Sequence, residues 1–317
     1  MGNYNNGNNN NNNNNNGNND TNANVNSTIN SYLKWDTYLQ FGPYGITKGK
    51  LNHPFGISVN TLNGDIVIAD ESNHRIQIFD NKGIQKKSFG KEGNGKNEFD
   101  DPVGVIFDRL NGQIVVADTD NHRIQLIDPE NGHQVMSVGK NGQQTGNFAH
   151  PFFVAQTRQT NKLVNVVSDY YNDRVQCFDD NWNFINEFGR EGANGLRRPT
   201  GIAIDSRNRV FVATAGCDVK IYDLNGQYLG LVSKTGTKIK SFDRVLGLCT
   251  DNKDNLYITD SGNRRILVFD KDGDFSEEIK VSGFPAALTL DENGYLYITK
   301  NVDYQVDHQV TVLKRRL

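Results

Sequence analysis

Asp118, His122 and Arg123 stand within six residues of one another in the string ADTDNHRIQLID at 117–128. A carboxylate, an imidazole and a guanidinium set this close are the parts from which a catalytic triad or a metal site is assembled. The same three types recur as Asp70, His74 and Arg75 in ADESNHRIQIFD at 69–80, and looser copies follow as DYYNDRVQCFD at 169–179 and DSGNRRILVFD at 260–270. Chemistry needs one constellation, whereas a repeated one faces several directions, so the recurrence assigns the string a structural task. Chain reversal within it sets Asp70 near Arg75, Asp118 near Arg123, Asp169 near Arg174 and Asp260 near Arg265, as charge-assisted pairs that staple a turn. If solvent-exposed, each pair contributes only about 0–1 kcal/mol.

The elements around the string are strands. From Pro54 the run PFGISV is short, apolar and β-branched, a turn at Asn63-Gly64 leads into DIVIAD, and the polar segment Glu71 to His74 reverses the chain into RIQIF. A turn at Asn81-Lys82-Gly83 then precedes a fourth run ending at Phe89-Gly90. Units of this kind start at Pro54, Pro102, Pro151, Pro199, Val245 and Pro285, at spacings of 48, 49, 48, 46 and 40 residues. Four short antiparallel strands at such a period predict propeller blades, and six starts predict an all-β, six-bladed β-propeller. The sixth unit reaches only three strands before Leu317. The pattern TYLQFG at 37–42, akin to the fourth strands elsewhere, is expected to complete it and close the ring.

Composition sets the outer limits. The chain has 317 residues, a net charge of −3 and 36% hydrophobic residues, which gives no global invitation to nucleic acid or membrane. Met1 runs directly into asparagines, with neither a basic nor an apolar leader segment, and no stretch is apolar enough to span a bilayer, so a cytoplasmic, monomeric propeller is expected. Residues 1–31, mostly Asn with Gly, Ser and Thr, are read as a low-complexity disordered tail, and 32–317 as the propeller. Asn-rich tracts can also self-associate. Cys177, Cys217 and Cys249 form no CxxC pair, which argues against disulfides and cysteine-built zinc modules; Cys177 and Cys249 read as small packing residues. No cofactor and no metal are expected.

The fourfold recurrence of Asp-x-x-Asn-x-Arg, each copy preceded by a Pro-x-Gly-like strand, resembles the NHL-repeat family, whose members form six-bladed propellers. The resemblance covers the chain from Tyr32 onward. It implies an interaction platform: a substrate-recruiting propeller in ubiquitin-ligase pathways, an RNA-binding surface, or a scaffold. A smaller branch resembles lyases and other enzymes with a metal in the central channel. Two blades depart from the pattern. Thr214 takes the Asp slot and Asp218 the Arg slot in the fourth, and Lys300 takes the Asp slot in the sixth, before a longer loop from Asn301 to His308.

Individuality is expected at one mouth of the channel. The positions before each first strand are His53, Asp101, His150, Arg198, Arg244 and Phe284, a rim able to hold an anion or, less readily, a metal. Two residues further on stand Phe55, Val103, Phe152, Thr200, Leu246 and Ala286, where a calcium-dependent lactonase would need oxygen ligands. The long loops 90–100, 139–150 and 189–198 should share a face with the Asn-His turns and gather Lys91, Lys96, Lys140, Arg190, Arg197, Arg198, Lys234, Lys238 and Arg244. Glu92, Glu98, Asp100, Asp101 and Glu191 dilute that charge. Phe99, Phe148 and Phe152 read as loop anchors rather than as a stacking platform. GKEGNGK at 90–96 lacks the pattern of a P-loop. Trp182 is read as a surface anchor for a partner or a cap on a blade edge, and Trp35 as packing the closing strand. A noncatalytic module binding a protein through the loop face is the leading expectation, RNA binding on that face the second, and a metal-dependent lyase or hydrolase near His53 and His150 the third.

Overall fold

The computed structural model describes residues 34–159, 162–190, 192, 194–232, 241–301 and 308–316. The Asn-rich tail, Glu191, Lys234, Lys238 and most of the loop after Asn301 lie outside them. Six four-stranded antiparallel sheets stand in a ring. Blade 1 runs Pro54–Val59, Ile66–Asp70, Arg75–Phe79 and Gln85–Phe89, in that order from the centre outward, and blades 2 to 5 repeat it. Blade 6 is built from Phe284–Leu290, Leu296–Asn301 and Gln309–Arg315, with Trp35–Phe41 as its outermost strand. Phe41 lies opposite Val310 and Trp35 opposite Arg315, so the N-terminal strand closes the ring by covering the outer edge of Gln309–Arg315.

The glycine of each Pro-x-Gly strand has a steric reason. First strands of neighbouring blades pack against each other around the centre, and a Cβ on Gly56 or Gly201 would collide with the backbone carbonyl of Val103 or Leu246 on the next blade. Side-chain hydroxyls tie the same junctions: Thr119 Oγ1 donates to the Pro151 carbonyl at 2.8 Å, Thr200 Oγ1 to that of Val245 at 3.0 Å, and Thr299 Oγ1 to that of Phe55 at 2.6 Å.

The hydrophobic core is divided rather than central. Six clusters each fill the seam between two adjacent blades, and a seventh, with Phe55, Val103, Ala286, Phe152 and Phe153, fills the channel. Aromatic side chains complete the seams. Phe41, Phe89 and Phe188 each lie over a turn glycine of the following blade, Gly83, Gly132 and Gly226. Trp35 fills the seam of blades 5 and 6 beside Ile279, its indole N–H donating to Glu277 at 3.1 Å.

Trp182 corrects an expectation. It is only 6% exposed, packed with Val138 and Phe178 in the seam of blades 2 and 3, and so is no surface anchor. The turn places it at φ 61, in the slot that glycine takes elsewhere, because Val138 on blade 2 is too small to fill the seam from its own side.

Candidate functional site

The repeated string builds the loop face from below. Asp70 is fully buried and accepts from the Asn52 amide at 2.6 Å, Asn73 at 2.9 Å, Arg75 Nε at 2.6 Å and Gln77 at 2.8 Å. The remaining Arg75 N–H groups donate to the carbonyls of Ile46, Thr47 and Lys50. Asp118 and Arg123 do the same for the loop carbonyls of Asn94, Gly95 and Glu98, and Asp169 with Arg174 for those of Gln144 and Asn147. These three pairs therefore fix the long loop that precedes their blade's first strand, not only their own turn.

These pairs are sequestered, not exposed: the Asp side chains of all four are fully buried, and Arg174 is too. Burial is the main influence on Asp118 and Asp169 and raises their carboxyls above the usual range, opposed by the backbone amides and arginines bonded to them. Blade 4, lacking the pair, secures its loop by other means. Lys220 Nζ donates to the Gly195 carbonyl and Tyr222 Oη to that of Asn194, both at 2.5 Å, while Thr214 bonds Asp218. In blade 6 the buried Lys300 donates to Ser282 at 3.1 Å.

The third member of the string joins blade to blade. His74 and His122 take left-handed backbone conformations, φ 49 and 56, and turn Nδ1 toward the next blade. His74 Nδ1 accepts from the Asp101 amide and His122 Nδ1 from the His150 amide, each at 3.2 Å. Asp173 accepts likewise from Arg198 at 2.7 Å, Cys217 Sγ from Arg244 at 3.3 Å and His308 Nδ1 from His53 at 2.7 Å. Arg264, which has no acceptor, instead covers the Phe284 ring at 4.6 Å. Burial and the neighbouring His150 lower the pKa of His122, favouring the neutral ring that accepting at Nδ1 requires.

Capping in this way brings the rim residues together. His53, Asp101, His150, Arg198 and Arg244 all stand at positive φ at the head of a first strand, and the charge they carry is segregated. Across blades 6, 1 and 2 and at the head of blade 3 the mouth carries imidazoles and carboxylates. The His53 ring bonds Glu71, His74 lies 3.4 Å from Asp100 and 3.6 Å from Asp101, and His150 lies 3.4 Å from Asp120 and stacks edgewise on His122 at 4.4 Å. Burial, then Glu71 and Asp120, push the Asp101 carboxyl up to about 6. At blades 4 and 5 the mouth carries the exposed Arg197, Arg198, Arg244 and Arg264, with Asp173, bonded to the Arg198 amide, and the exposed Asp243 among them.

Of the expected basic side chains, Lys91 is tied to Glu98 at 3.1 Å and Arg190 to Glu187 at 2.7 Å, which thins the positive field. His53 and His150, expected to share any metal, are instead committed to separate carboxylates. The group among the described residues that could hold a cation is His74, Asp100 and Asp101, with one ligand atom each within 4.8 Å of one another. The channel below is filled mainly by apolar side chains: Phe55 meets Phe152 edge to face at 5.4 Å, and Phe153 adds a third ring.

Two aromatic residues escaped the sequence reading. Tyr170 stacks on Phe152 at 5.4 Å, Tyr171 is half exposed beside it, and the Arg198 guanidinium lies 5.9 Å and 5.6 Å from their rings. The signal was present, since the YY of DYYND occupies the slots that blades 1 and 2 fill with Glu71-Ser72 and Thr119-Asp120. Phe99 and Phe148 are buried loop anchors, as expected.

A ring closed by its own N-terminal strand, with rigid loops on one face and a plugged channel, is a β-propeller of six four-stranded blades. Three of its repeats match a known family model: the NHL repeat model matches residues 51–79, 99–125 and 242–269. The chain is 31% identical over 195 residues to protein brain tumor of Drosophila melanogaster, which covers 61% of this chain and 13% of that protein. It is also 48% identical over 46 residues to the B-box type zinc finger protein ncl-1 of Caenorhabditis elegans, covering 14% of this chain and 5% of that one. The chain thus spans a small fraction of the relatives it matches. Among solved structures it resembles virginiamycin B lyase from Staphylococcus aureus, with a TM-score of 0.58, 14% identity and coverage of 83% and 80% of the two chains. A gluconolactonase from Xanthomonas campestris gives 0.61, 14%, 90% and 97%. At such identity these two share the fold alone. No helix among the described residues is long and apolar enough to cross a membrane.

Proposed function

We propose that the propeller is a noncatalytic recognition module that binds a protein partner through its loop face. The observation that carries this reading is the rim, where imidazoles cluster on one half and guanidiniums on the other, with carboxylates on both. A protein surface of mixed charge complements such a rim, whereas a nucleic-acid backbone favours a field of one sign. The clamped loops support it too, because a surface ordered before binding loses less entropy on association. Substrate recruitment in ubiquitin-dependent degradation is the cellular role this reading favours. These 317 residues contain no Cys/His zinc module, so the ligase chemistry would lie outside them. A monomeric propeller acting in the cytoplasm accords with this role.

RNA binding on the same face is the second reading, favoured by Phe152, Tyr170, Tyr171 and Arg198, which present stacked rings beside a cation. One variant set tests both. Charge reversal by R197E, R198E and R244E should abolish retention of the partner in an affinity pulldown while the melting curve holds. Equal retention by variant and wild type would remove the loop face from consideration. A salt-sensitive gel shift of single-stranded RNA, lost in the same variant, would move the RNA reading to first place. Among the described residues metal-dependent catalysis finds support in the His74, Asp100 and Asp101 group, and a purified chain carrying stoichiometric metal would revive it.

A further inference from the structure

The seams between blades follow a rule of size, and one seam breaks it. Where a fourth strand ends in phenylalanine, the next blade presents glycine, so close that a Cβ there would collide with the ring. Where the seam-facing residue is smaller, as with Val138 or Ile279, the next blade returns a tryptophan, Trp182 or Trp35. Between blades 4 and 5 neither of these two positions carries a ring. Val232, bonded to Val219 at the place where Phe89 stands opposite Ile76 in blade 1, faces Gly273, and nothing lies within 4 Å of where a Cβ on Gly273 would stand. The result is a cavity of about 290 Å³ walled by Phe211, Leu231, Val232, Leu256 and Phe269.

We propose that this seam is an anchor site for a partner segment that presents one aromatic side chain beside a basic residue. Its walls correspond to those that enclose a phenylalanine or tryptophan of the same chain at other seams. An apolar cavity of about 150 Å³ already accommodates a benzene ring, so size admits a phenyl or phenol group. Charge at the mouth selects the neighbour. Asp270, Asp272 and Asp274 line it; Arg209 is occupied by Asp205 at 2.6 Å and by the Lys271 carbonyl at 2.7 Å, and Asp272 by Lys271 at 3.0 Å, which leaves Asp270 and Asp274 as the lining carboxylates without an ion-pair partner among the described residues. Beside the cavity runs Tyr228–Leu231, the outermost strand of blade 4, with Leu229 and Leu231 half exposed and an unpaired edge for extended backbone. The mouth is formed by the turns opposite the loop face, so this site and the one proposed above can fail independently.

The test uses the full chain and two peptides, acetyl-Lys-Phe-Lys-amide and its counterpart with alanine for phenylalanine, followed through the methyl resonances of Val232, Leu231 and Leu256. The phenylalanine peptide should shift these signals at millimolar concentration, and the alanine peptide should bind at least tenfold more weakly. Val232→Phe, which fills the cavity as Phe89 does its own seam, should abolish the shifts while the melting temperature holds or rises. Gly273→Trp fills it from the other side and serves if the first variant fails to fold. Asp272→Asn with Asp274→Asn should weaken binding without removing the ring's effect on Leu256. Equal binding of the two peptides, no shift with either, or unchanged binding in the filled variants would overturn the proposal. Binding of free phenethylamine but of neither peptide would overturn it in favour of a small-molecule site.

Discussion

Replacing Asp118 by alanine asks how much the repeated string contributes. Its carboxylate is fully buried and accepts from the Asp100 amide at 2.8 Å, from Asn121 at 3.0 Å, and from Arg123 Nε and Gln125 at 2.7 Å each. Alanine leaves these donors unanswered, with a guanidinium only 14% exposed. Removing one partner of a buried ion pair costs about 3–5 kcal/mol, and for a large domain each kcal/mol lowers the melting temperature by about 2–4 °C. Thermal melts followed by circular dichroism should therefore show Asp118→Ala about 10 °C below wild type. Glu130→Ala is the control, because its pair with Lys87 has a comparable separation, 2.8 Å, but an 83% exposed carboxylate, and exposed pairs contribute about 0–1 kcal/mol. Limited proteolysis should in addition find the 90–98 loop, whose carbonyls Arg123 holds, cut sooner in the Asp118 variant. A melt within about 1 kcal/mol of wild type, matching the Glu130 control, would refute the view that burial makes these pairs the clamps of the loop face.

Two further outcomes are expected. Asp101, with its carboxyl pushed up to about 6, holds its proton longer in the folded chain than in the unfolded one. Its contribution is thus fully present below the ordinary aspartate range and lost as pH rises through about 6. Asp101→Asn should leave stability unchanged near pH 3.5 and exceed wild type increasingly up to about pH 7, as measured by urea midpoints; a constant offset would contradict this. Trp182→Ala should cost about 3–5 kcal/mol through an unfilled seam yet leave partner retention intact, and loss of binding by a variant that still folds would return Trp182 to the surface.

The ring itself was legible because its information is periodic. Five Pro-headed strands and the Val245 one, turn glycines and the TYLQFG segment each repeat a local rule, and the observed strands fall within a few residues of the expected ones, the closing strand as Trp35–Phe41 rather than 37–42. What escaped was pairing between blades, which no single repeat encodes. Trp182 looks like an exposed turn residue until Val138, on another blade, is known to leave room for it. The histidines of the string looked like chemistry or turn geometry, and only the ring shows that Nδ1 caps the following blade. Charge segregation at the rim likewise depends on angular position, because His53 and Arg244 hold the same slot in different blades.

The closing strand also bears on how the chain folds. Asp36 and Arg316, 280 residues apart in sequence, form a two-bonded ion pair, and the Arg316 amide donates to the Lys34 carbonyl at 2.8 Å. During synthesis the Trp35–Phe41 strand emerges long before Gln309–Arg315, so it waits with its edge unsatisfied while five blades assemble. Contacts of such long sequence separation form slowly, and an open strand edge invites pairing with another chain. Joining the two ends and opening the ring at the exposed Asp80–Gly83 turn would make every blade local in sequence except blade 1, which would then be the divided one. Such a permutant would transfer the delay to blade 1 and leave the finished propeller unchanged.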